Sequence, residues 1–405
     1  MTATLITGIG ELTTNDDELG RLHDAAVVIE GERVVWVGPA ARAEPTDARV
    51  DVGGRAALPG WVDSHTHLVF AGDRTAEFEA RMAGQAYSAG GIAHTVDATR
   101  AATDAELAAT VRKLVREAVS QGTTYLETKT GYGLTVDDEA RCARIAAKYV
   151  DEVTFLGAHI VPPGAEAEDY LATVTGPMLA AVEPLVRWVD VFCERGAFDA
   201  AQSERVLRAA ADRGLGLRVH GNQLGEGPGV ELAVRHGAAS VDHCTYLSDA
   251  DVDALAGSWD GGGSAGESAG ESAGESTGTV AALLPACDLS TRQPLAPARR
   301  LLDAGAVVAL ASNANPGSSY TTSMAFCVAT AVLQQGLSVD EAVWAATRGG
   351  AKALRADTGD GAVGVVRPGA RADLHVLDAP SVTHLAYRPG VPLTCAVWRN
   401  GAREY

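Results

Sequence analysis

The sequence lacks closely spaced cysteines, an excess of basic residues and long apolar runs, and each absence excludes a class of protein. No stretch reaches the ~20 consecutive apolar residues that a membrane-spanning helix needs. The first residues lack the basic start and the apolar core of a secretory signal. We therefore expect a soluble, cytoplasmic protein that has no membrane partner.

The six cysteines are far apart in the chain and form no Cys-x-x-Cys pair. That spacing gives no sign of a disulfide framework or of a zinc finger. We expect the cysteines to be free, buried thiols.

Acidic residues outnumber basic ones by 52 to 33, and the formal net charge is −19 at pH 7. A surface of that sign repels nucleic acid phosphates, so we expect no nucleic acid partner. A small anionic substrate is compatible with this charge only if a local cation captures its carboxylate.

Eight short apolar runs alternate with helical patterns in the middle of the chain. In residues 104–121, for example, apolar residues recur at helical spacing, and Thr103 or Asp104 can cap the first turn. This alternation favours a (β/α)₈ barrel of the TIM type, although periodicity leaves a doubly wound open sheet as the alternative. The predicted strands are Gly60 to His65, Thr123 to Glu127, Val153 to Ala158, Val186 to Phe192, Gly216 to His220, Ser240 to His243, Val280 to Leu284 and Val307 to Ala311.

Both ends of the chain are rich in β-forming residues. The N-terminal ones run from about Ala26 to Val37 and from about Val50 to Leu58, and "GARADLHVLDA" and "PLTCAVWRNG" have the same character near the C-terminus. We predict that residues 1–58 and 361–405 pair into one small β-sandwich domain beside a barrel of residues 59–360.

Residues 257–278 form a low-complexity segment that contains three tandem copies of Ser-Ala-Gly-Glu, starting at Ser264. The segment has few large apolar side chains, so it cannot bury a core. We predict that it is an insertion after the sixth barrel strand and its helix.

Histidines occur where a barrel of this type places its active site. His65 and His67 follow the first apolar run, and because side chains alternate along a strand, both imidazoles point to the same side. An HxH pair alone is a weak indication of a metal site. His159, His220 and His243 strengthen it, since each lies at or just past the end of a predicted strand. Nitrogen ligands suit one divalent ion, Zn²⁺ or Fe²⁺.

Several stretches carry a resemblance to a known family. "LPGWVDSHTHLVFAGDR" resembles the first-strand signature of the amidohydrolase superfamily, and "GARADLHVLD" resembles its C-terminal strand. Imidazolonepropionases in particular are similar at "GGIAHTVDATR", "ETKTGYGL", "FLGAHIVPP", "VDVFCERGAF", "VHGNQLG", "SVDHCTYL" and "NANPGSS". The resemblance covers nearly the whole chain apart from the low-complexity segment, and it implies a metal-dependent hydrolase on a barrel.

The resemblance also implies roles at the metal centre. His65, His67 and His220 match the family's metal ligands, and His243 matches the histidine that polarises or protonates the reacting group. Asn313 is a departure, because the family has a metal-binding aspartate at that position. Asparagine is a neutral, poor ligand and cannot take a proton from the attacking water, so turnover by this chain is left open.

Arg74, seven residues beyond the HxH pair, matches the family's substrate-binding arginine, whose planar fork suits a propionate carboxylate. Tyr87 is a weaker match, and a packing tyrosine is its alternative. The other positions that match substrate or product contacts are Tyr132, His159, Gln223, Asn315, Gly317 and Ser318.

The activity that the resemblance implies is hydrolysis of the cyclic amide of 4-imidazolone-5-propanoate to N-formimidoyl-L-glutamate in histidine degradation. One alternative is a nucleobase deaminase-like aminohydrolase, which Gln223 disfavours because those enzymes place a glutamate three residues after the third metal histidine. Another is a non-catalytic binding relative, which only Asn313 supports. The sequence does not determine the oligomeric state, and a homodimer is one possibility.

Overall fold

The computed structural model of the chain describes residues 3–84, 91–259 and 278–405. Within these ranges an eight-stranded parallel sheet is curved into a barrel, and a seven-stranded sheet combines both ends of the chain. Tyr87 and residues 260–277 of the low-complexity segment lie outside the described residues, so what the sequence predicts for them stays a prediction.

The barrel strands follow one another in chain order from β5 to β12, and each overlaps one of the eight predicted strands. The strands are β1 (Ala3–Thr13), β2 (Arg21–Glu30), β3 (Arg33–Pro39), β4 (Ala48–Pro59), β5 (Trp61–Asp63), β6 (Thr123–Lys129), β7 (Glu152–Ala158), β8 (Trp188–Cys193), β9 (Gly216–Gly221), β10 (Ser240–His243), β11 (Val280–Leu283), β12 (Val308–Leu310), β13 (Leu374–Leu377), β14 (Thr394–Arg399) and β15 (Ala402–Arg403).

Helices connect the barrel strands, and none within the described ranges has the length and apolar character to span a membrane. The helices are α1 (Thr75–Met82), α2 (Ile92–Ala101), α3 (Asp104–Ser120), α4 (Val136–Ala146), α5 (Ala167–Thr173), α6 (Leu179–Val182), α7 (Ala200–Ala211), α8 (Gly229–Arg235), α9 (Asp249–Gly257), α10 (Pro285–Thr291), α11 (Ala298–Asp303), α12 (Met324–Gln334), α13 (Val339–Trp344), α14 (Gly350–Ala353) and α15 (His384–Tyr387).

Helix α3 shows how local sequence sets these elements. The Thr103 side chain accepts from the Glu106 N–H at 3.3 Å, and the Glu106 carboxylate accepts from the Thr103 N–H at 2.7 Å. This capping box satisfies two backbone donors at the start of the helix. Leu107, Val111 and Leu114 are buried on one face, as helical spacing requires. The predicted helix over residues 104–121 is confirmed.

The two ends of the chain meet in one sheet of order β15-β14-β13-β4-β1-β2-β3. The sequence did not predict β1, because Gly8 and Gly10 interrupt its pattern. Gly8 has a φ of +69° beside a register shift, and a side chain there would collide with the Asp51 carboxylate. The predicted pairing of the two ends is confirmed, while the domain boundaries at residues 58 and 361 stay a prediction.

The first and last barrel strands meet just beyond their C-terminal ends, which closes the barrel and excludes the open-sheet alternative. The Asn313 N–H donates to the His65 carbonyl at 3.0 Å, and the His67 N–H donates to the Ala314 carbonyl at 2.9 Å. These bonds form a seam, residues 63–67 against 312–314. The seam therefore contains both members of the HxH pair.

Asp63 fastens the seam with its side chain. Its two carboxylate oxygens accept from the Ser312 N–H at 3.0 Å and from the Ser312 hydroxyl at 2.5 Å. Burial raises the pKa of Asp63 to about 7, although the hydrogen bonds from Ser312 oppose the rise. Burial of this carboxyl group is unfavourable, and its hydrogen bonds to Ser312 at the point of closure offset part of that cost.

Replacing Asp63 with alanine should lower the free energy of unfolding by ~2 to 4 kcal/mol, because two buried donors of Ser312 lose their acceptor. Equilibrium unfolding in urea measures this change. Asp51 is the matched control, since it accepts the Gly53 N–H at an exposed position. The Asp51→Ala variant should lose less than ~1 kcal/mol. Equal losses in the two variants would contradict the role given to the seam.

Candidate metal and substrate site

Four buried histidines converge at the C-terminal ends of the barrel strands. The Nε2 atoms of His65 and His67 are 3.2 Å apart. One ring nitrogen from each of His65, His220 and His243 lies within 4.8 Å of the others. Imidazole nitrogens at this spacing are able to share one metal ion.

Four ring nitrogens in this cluster are buried and have no well-aligned hydrogen bond among the described residues: Nδ1 of His67, Nδ1 and Nε2 of His220, and Nδ1 of His243. Buried polar atoms are normally paired, so such a group of unpaired nitrogens fits a cation-binding centre. The donor set, neutral nitrogen ligands from different strands, agrees with a divalent ion of the zinc or iron type.

Three of the four imidazoles are held in the neutral form that binds metal. Burial lowers the pKa of His65, His67 and His243 well below 6.5, and neighbouring rings lower it further. Each of these rings can therefore offer a lone pair at neutral pH.

Two carboxylates orient the metal-facing rings from behind. The Nδ1–H of His65 donates to Asp242 Oδ2 at 2.6 Å, and Nδ1 of His220 lies 3.0 Å from Asp190 Oδ2. A carboxylate on Nδ1 leaves Nε2 to face the centre of the cluster. The sequence analysis missed Asp190 and Asp242, although a charged residue inside an otherwise apolar predicted strand was a usable signal.

An aromatic wall stands beside the histidines. The ring of His159 stacks on that of His67 with centroids 5.7 Å apart, and the Tyr132 ring lies 5.4 Å from that of His159. Nδ1 of His159 lies 2.9 Å from the Gly131 carbonyl, which accepts its hydrogen. Burial lowers the pKa of His159 to about 4. The wall is suited to a flat heterocyclic ring.

The loop after β12 is stabilised by one side chain. Asn315 Oδ1 accepts from the N–H groups of Gly317 and Ser318, each at 2.8 Å. Its Nδ2 donates to the Asn313 carbonyl at 2.6 Å and to the Ser318 hydroxyl at 2.9 Å. Asn315 therefore shapes the loop that carries Gly317 and Ser318 past the histidines.

Strained backbone marks the same place. Asn313 has a φ of 53° and His243 a φ of 83°, both in the left-handed region that non-glycine residues rarely adopt. Such a conformation costs on the order of 1 to 3 kcal/mol and is common at functional sites. Asparagine tolerates it better than histidine does.

Gln223 faces a thiol that the sequence analysis did not place in the site. Its Nε2 lies 3.9 Å from Sγ of Cys287, which is one of six free cysteines. Burial raises the pKa of Cys287 to about 12, and contacts with Ser318 and Asn313 oppose the rise. Cys287 is therefore an uncharged packing partner of three predicted site residues.

Arg74 is the cation that the acidic chain brings to the site, and it is 6% exposed. Its Nε and Nη2 donate to the Glu77 carboxylate at 2.8 and 2.6 Å. A side chain at Gly317 would lie 2.1 Å from Nη1, and one at Gly91 would lie 2.1 Å from Nη2. Glu77 and the two glycines therefore fix the guanidinium in place.

Most of the predicted site residues in the described ranges line one small cavity of about 30 Å³; His65 and Gly317 do not line it. Arg74 also lines a neighbouring cleft of about 470 Å³, to which Gly317 belongs. Tyr87 lies outside the described residues. The residues that line the small cavity are His67, Arg74, Ile92, Tyr132, His159, Phe192, His220, Gln223, His243, Asn313, Asn315 and Ser318.

Comparison with known proteins gives a consistent result over the full chain. Residues 56–398 match the amidohydrolase family. A protein of Saccharopolyspora erythraea named imidazolonepropionase is 69% identical over 403 residues, with 100% of this chain and 99% of the relative covered. Proteins of the same name from Arthrobacter sp. strain FB24 and Micrococcus luteus are 67% and 65% identical, with 99% and 100% of this chain and 99% and 100% of each relative covered.

Solved structures with the same fold are more distant in sequence. A mutant of atrazine chlorohydrolase TrzN from Arthrobacter aurescens TC1, complexed with zinc and atraton, aligns over 99% of this chain and 94% of its own, with a TM-score of 0.74 and 18% identity. A zinc-bound adenosine deaminase from Xanthomonas campestris aligns over 99% and 92%, with a TM-score of 0.73 and 20% identity. At such identities the likeness shows the fold alone.

The lowered pKa of His159 predicts a pH dependence of stability in metal-free protein. Between about pH 6.5 and pH 4 the unfolded chain binds a proton at this residue and the folded chain does not, so folding weakens as the pH falls. The His159→Gln variant keeps a donor for Gly131 but cannot titrate. The parent loses stability as the pH falls, and the variant does not lose it at this position. The difference in unfolding free energy between parent and variant should therefore shrink by ~1 to 3 kcal/mol when the pH is lowered from 7 to 4.

Urea unfolding at the two pH values, with chelator present, measures that difference. A His159→Gln effect that is the same at both pH values would mean that the ring is not held neutral.

Proposed function

The chain belongs to the amidohydrolase family, in which its full-length relatives are imidazolonepropionases, and we propose on this premise that it hydrolyses 4-imidazolone-5-propanoate. Water adds across the ring amide, the C–N bond breaks, and N-formimidoyl-L-glutamate is the product, as in histidine degradation. The observation that carries the proposal is the convergence of four histidines and one buried arginine on a single small cavity.

His65, His67 and His220 are the proposed ligands of one divalent ion, Zn or Fe, with Asn313 next to them. Such an ion polarises a carbonyl group and lowers the pKa of a bound water. The chain contributes imidazole nitrogens, and Asp242 and Asp190 lie against two of the rings at Nδ1. Donor geometry is therefore fixed before the ion binds.

The remaining residues position the substrate. Arg74 binds the propionate carboxylate through the edge of its guanidinium that Glu77 does not occupy. Tyr132 and His159 lie against the flat ring, and His243 polarises or protonates the reacting group. Further proposed contacts with the ring or with the opened product come from Gln223, Asn315, Gly317, Ser318 and Tyr87.

Asn313 limits the reaction. An aspartate in its place would take the proton of the attacking water, whereas an amide cannot. The proposed activity is therefore slow in this chain, although the binding residues are in place. A cytoplasmic location and a homodimer complete the proposal. The nucleobase deaminase-like alternative gains no support from the full-length relatives.

The Arg74→Ala variant should raise KM by roughly 10- to 1000-fold with a smaller effect on kcat, because it removes a charge-assisted pair used for binding. Steady-state kinetics with imidazolone propanoate measures the split. The control is Arg205, a residue of α7 whose half-exposed side chain pairs with Glu168. The Arg205→Ala variant should leave both KM and kcat unchanged. An unchanged KM in Arg74→Ala would remove Arg74 from the substrate site.

The Asn313→Asp variant should raise kcat by ~10²- to 10⁴-fold, because it restores a base beside the attacking water. KM should stay within about tenfold, since Arg74 and the aromatic wall are unaltered. The assay follows formation of N-formimidoyl-L-glutamate by both proteins at matched metal content.

Asn400→Asp is the matched control for this change. Asn400 also has a positive φ, of 50°, but it lies between β14 and β15 in the terminal sheet. Its replacement should leave kcat unchanged. A gain of less than about threefold in Asn313→Asp would show that residue 313 is not the base, and absence of product from both proteins would contradict the proposed function.

A further inference from the structure

Five charged side chains lie fully buried beneath the histidine cluster, and none of them lines the small cavity. Burying an ion costs several kcal/mol even after relaxation, so charges persist there only when they are paired. Three of the five are carboxylates and two are cations. They are Glu127, Lys129, Asp190, Arg218 and Asp242.

The Lys129 ammonium lies at the centre of this group. Its Nζ is 2.9 Å from Asp190 Oδ2, 3.0 Å from Glu127 Oε1 and 3.6 Å from Asp242 Oδ2. The oxygens of Asp190 and Asp242 that face the ammonium are the same ones that meet Nδ1 of His220 and Nδ1 of His65. One ammonium therefore joins the two carboxylates that orient the proposed metal ligands.

The position of the ammonium is one that a second divalent ion could otherwise take. Donor atoms of Asp190, His220 and Asp242 all lie within 4.8 Å of one another, a spacing typical of metal ligands. Nζ of Lys129 already lies beside both carboxylates, so the ammonium occupies the place of a cation between these donors.

We propose that Lys129 is a built-in cation that holds Asp190 and Asp242 together and, through them, directs His220 and His65 toward a single metal ion. Lys129 is thus a positioning residue for metal binding. The inference rests on the proposed metal site, but it assigns a role to a side chain that touches neither ion nor substrate.

The negative charges of Asp190 and Asp242 explain why a cation is needed between them. Arg218 Nη2 lies 3.1 Å from Asp242, so Asp242 keeps a cation if Lys129 is removed. Among the described residues, Asp190 would then keep His220 as its only ion-pair contact. Without the ammonium, two buried carboxylates repel each other and draw the attached rings out of line.

Zinc affinity of the Lys129→Ala variant tests the proposal, measured by competition with a chromophoric chelator in methylammonium chloride and in tetramethylammonium chloride of equal concentration. The dissociation constant should rise by ~10- to 100-fold in tetramethylammonium, the usual loss when the support of a metal ligand is removed. Methylammonium can enter the vacated space and donate to both carboxylates, so it should restore most of the affinity. Unchanged affinity, or an equal loss in both salts, would overturn the proposal.

Two further variants keep the result decisive. Lys352, whose Nζ lies 2.9 Å from Asp357 and remote from the histidines, is the control, and Lys352→Ala should retain the parent's zinc affinity. If Lys129→Ala does not fold by circular dichroism, Lys129→Met, which fills the space without charge, should show the loss in both salts. Parent-like affinity of Lys129→Met would then overturn the proposal.

The parent protein separates the two levels of inference. If the parent binds no zinc, the proposed function fails before Lys129 is tested. If the parent binds zinc and the Lys129 variants bind it equally well, only the role of Lys129 fails.

Discussion

Closure of the barrel is the constraint on which the rest of the site depends. The first and last strands are short, and they meet through a few bonds between residues 63–67 and 312–314. The same backbone groups that close the sheet belong to His65, His67 and Asn313. A shift of the seam would therefore separate the HxH pair from the loop that follows the last strand. Closure of the barrel and assembly of the site thus depend on the same residues.

Electrostatic balance under the histidines is the second requirement. Three buried carboxylates against two buried cations leave one net negative charge beneath the neutral imidazoles of His65 and His67. This arrangement favours a cation in the cluster without leaving a carboxylate unpaired before the ion binds. Arg74 supplies a positive charge in the lining of the same cavity, where an anionic substrate group needs it. The site thus has a net negative charge beneath the histidines and a positive charge at Arg74.

Sequence periodicity and residue type predicted the eight barrel strands and the convergence of His65, His159, His220 and His243, because strand ends in a barrel share one face. The same reasoning missed β1, whose alternation is broken by glycines at a register shift. It also missed Lys129, which lies two residues past the end of its predicted strand and pairs with carboxylates on other strands. Distances and pairings such as Arg74 with Glu77 depend on packing across the barrel, which a linear pattern does not contain.

The central claim is that one metal ion is held by His65, His67 and His220 beside Asn313. Anomalous diffraction at the zinc edge from crystals of the zinc-loaded protein tests it most directly. The account predicts a single peak about 2.0 to 2.1 Å from one ring nitrogen of each of the three histidines. A peak bonded instead to Asp190 and Asp242, or no peak in this cavity, would contradict it.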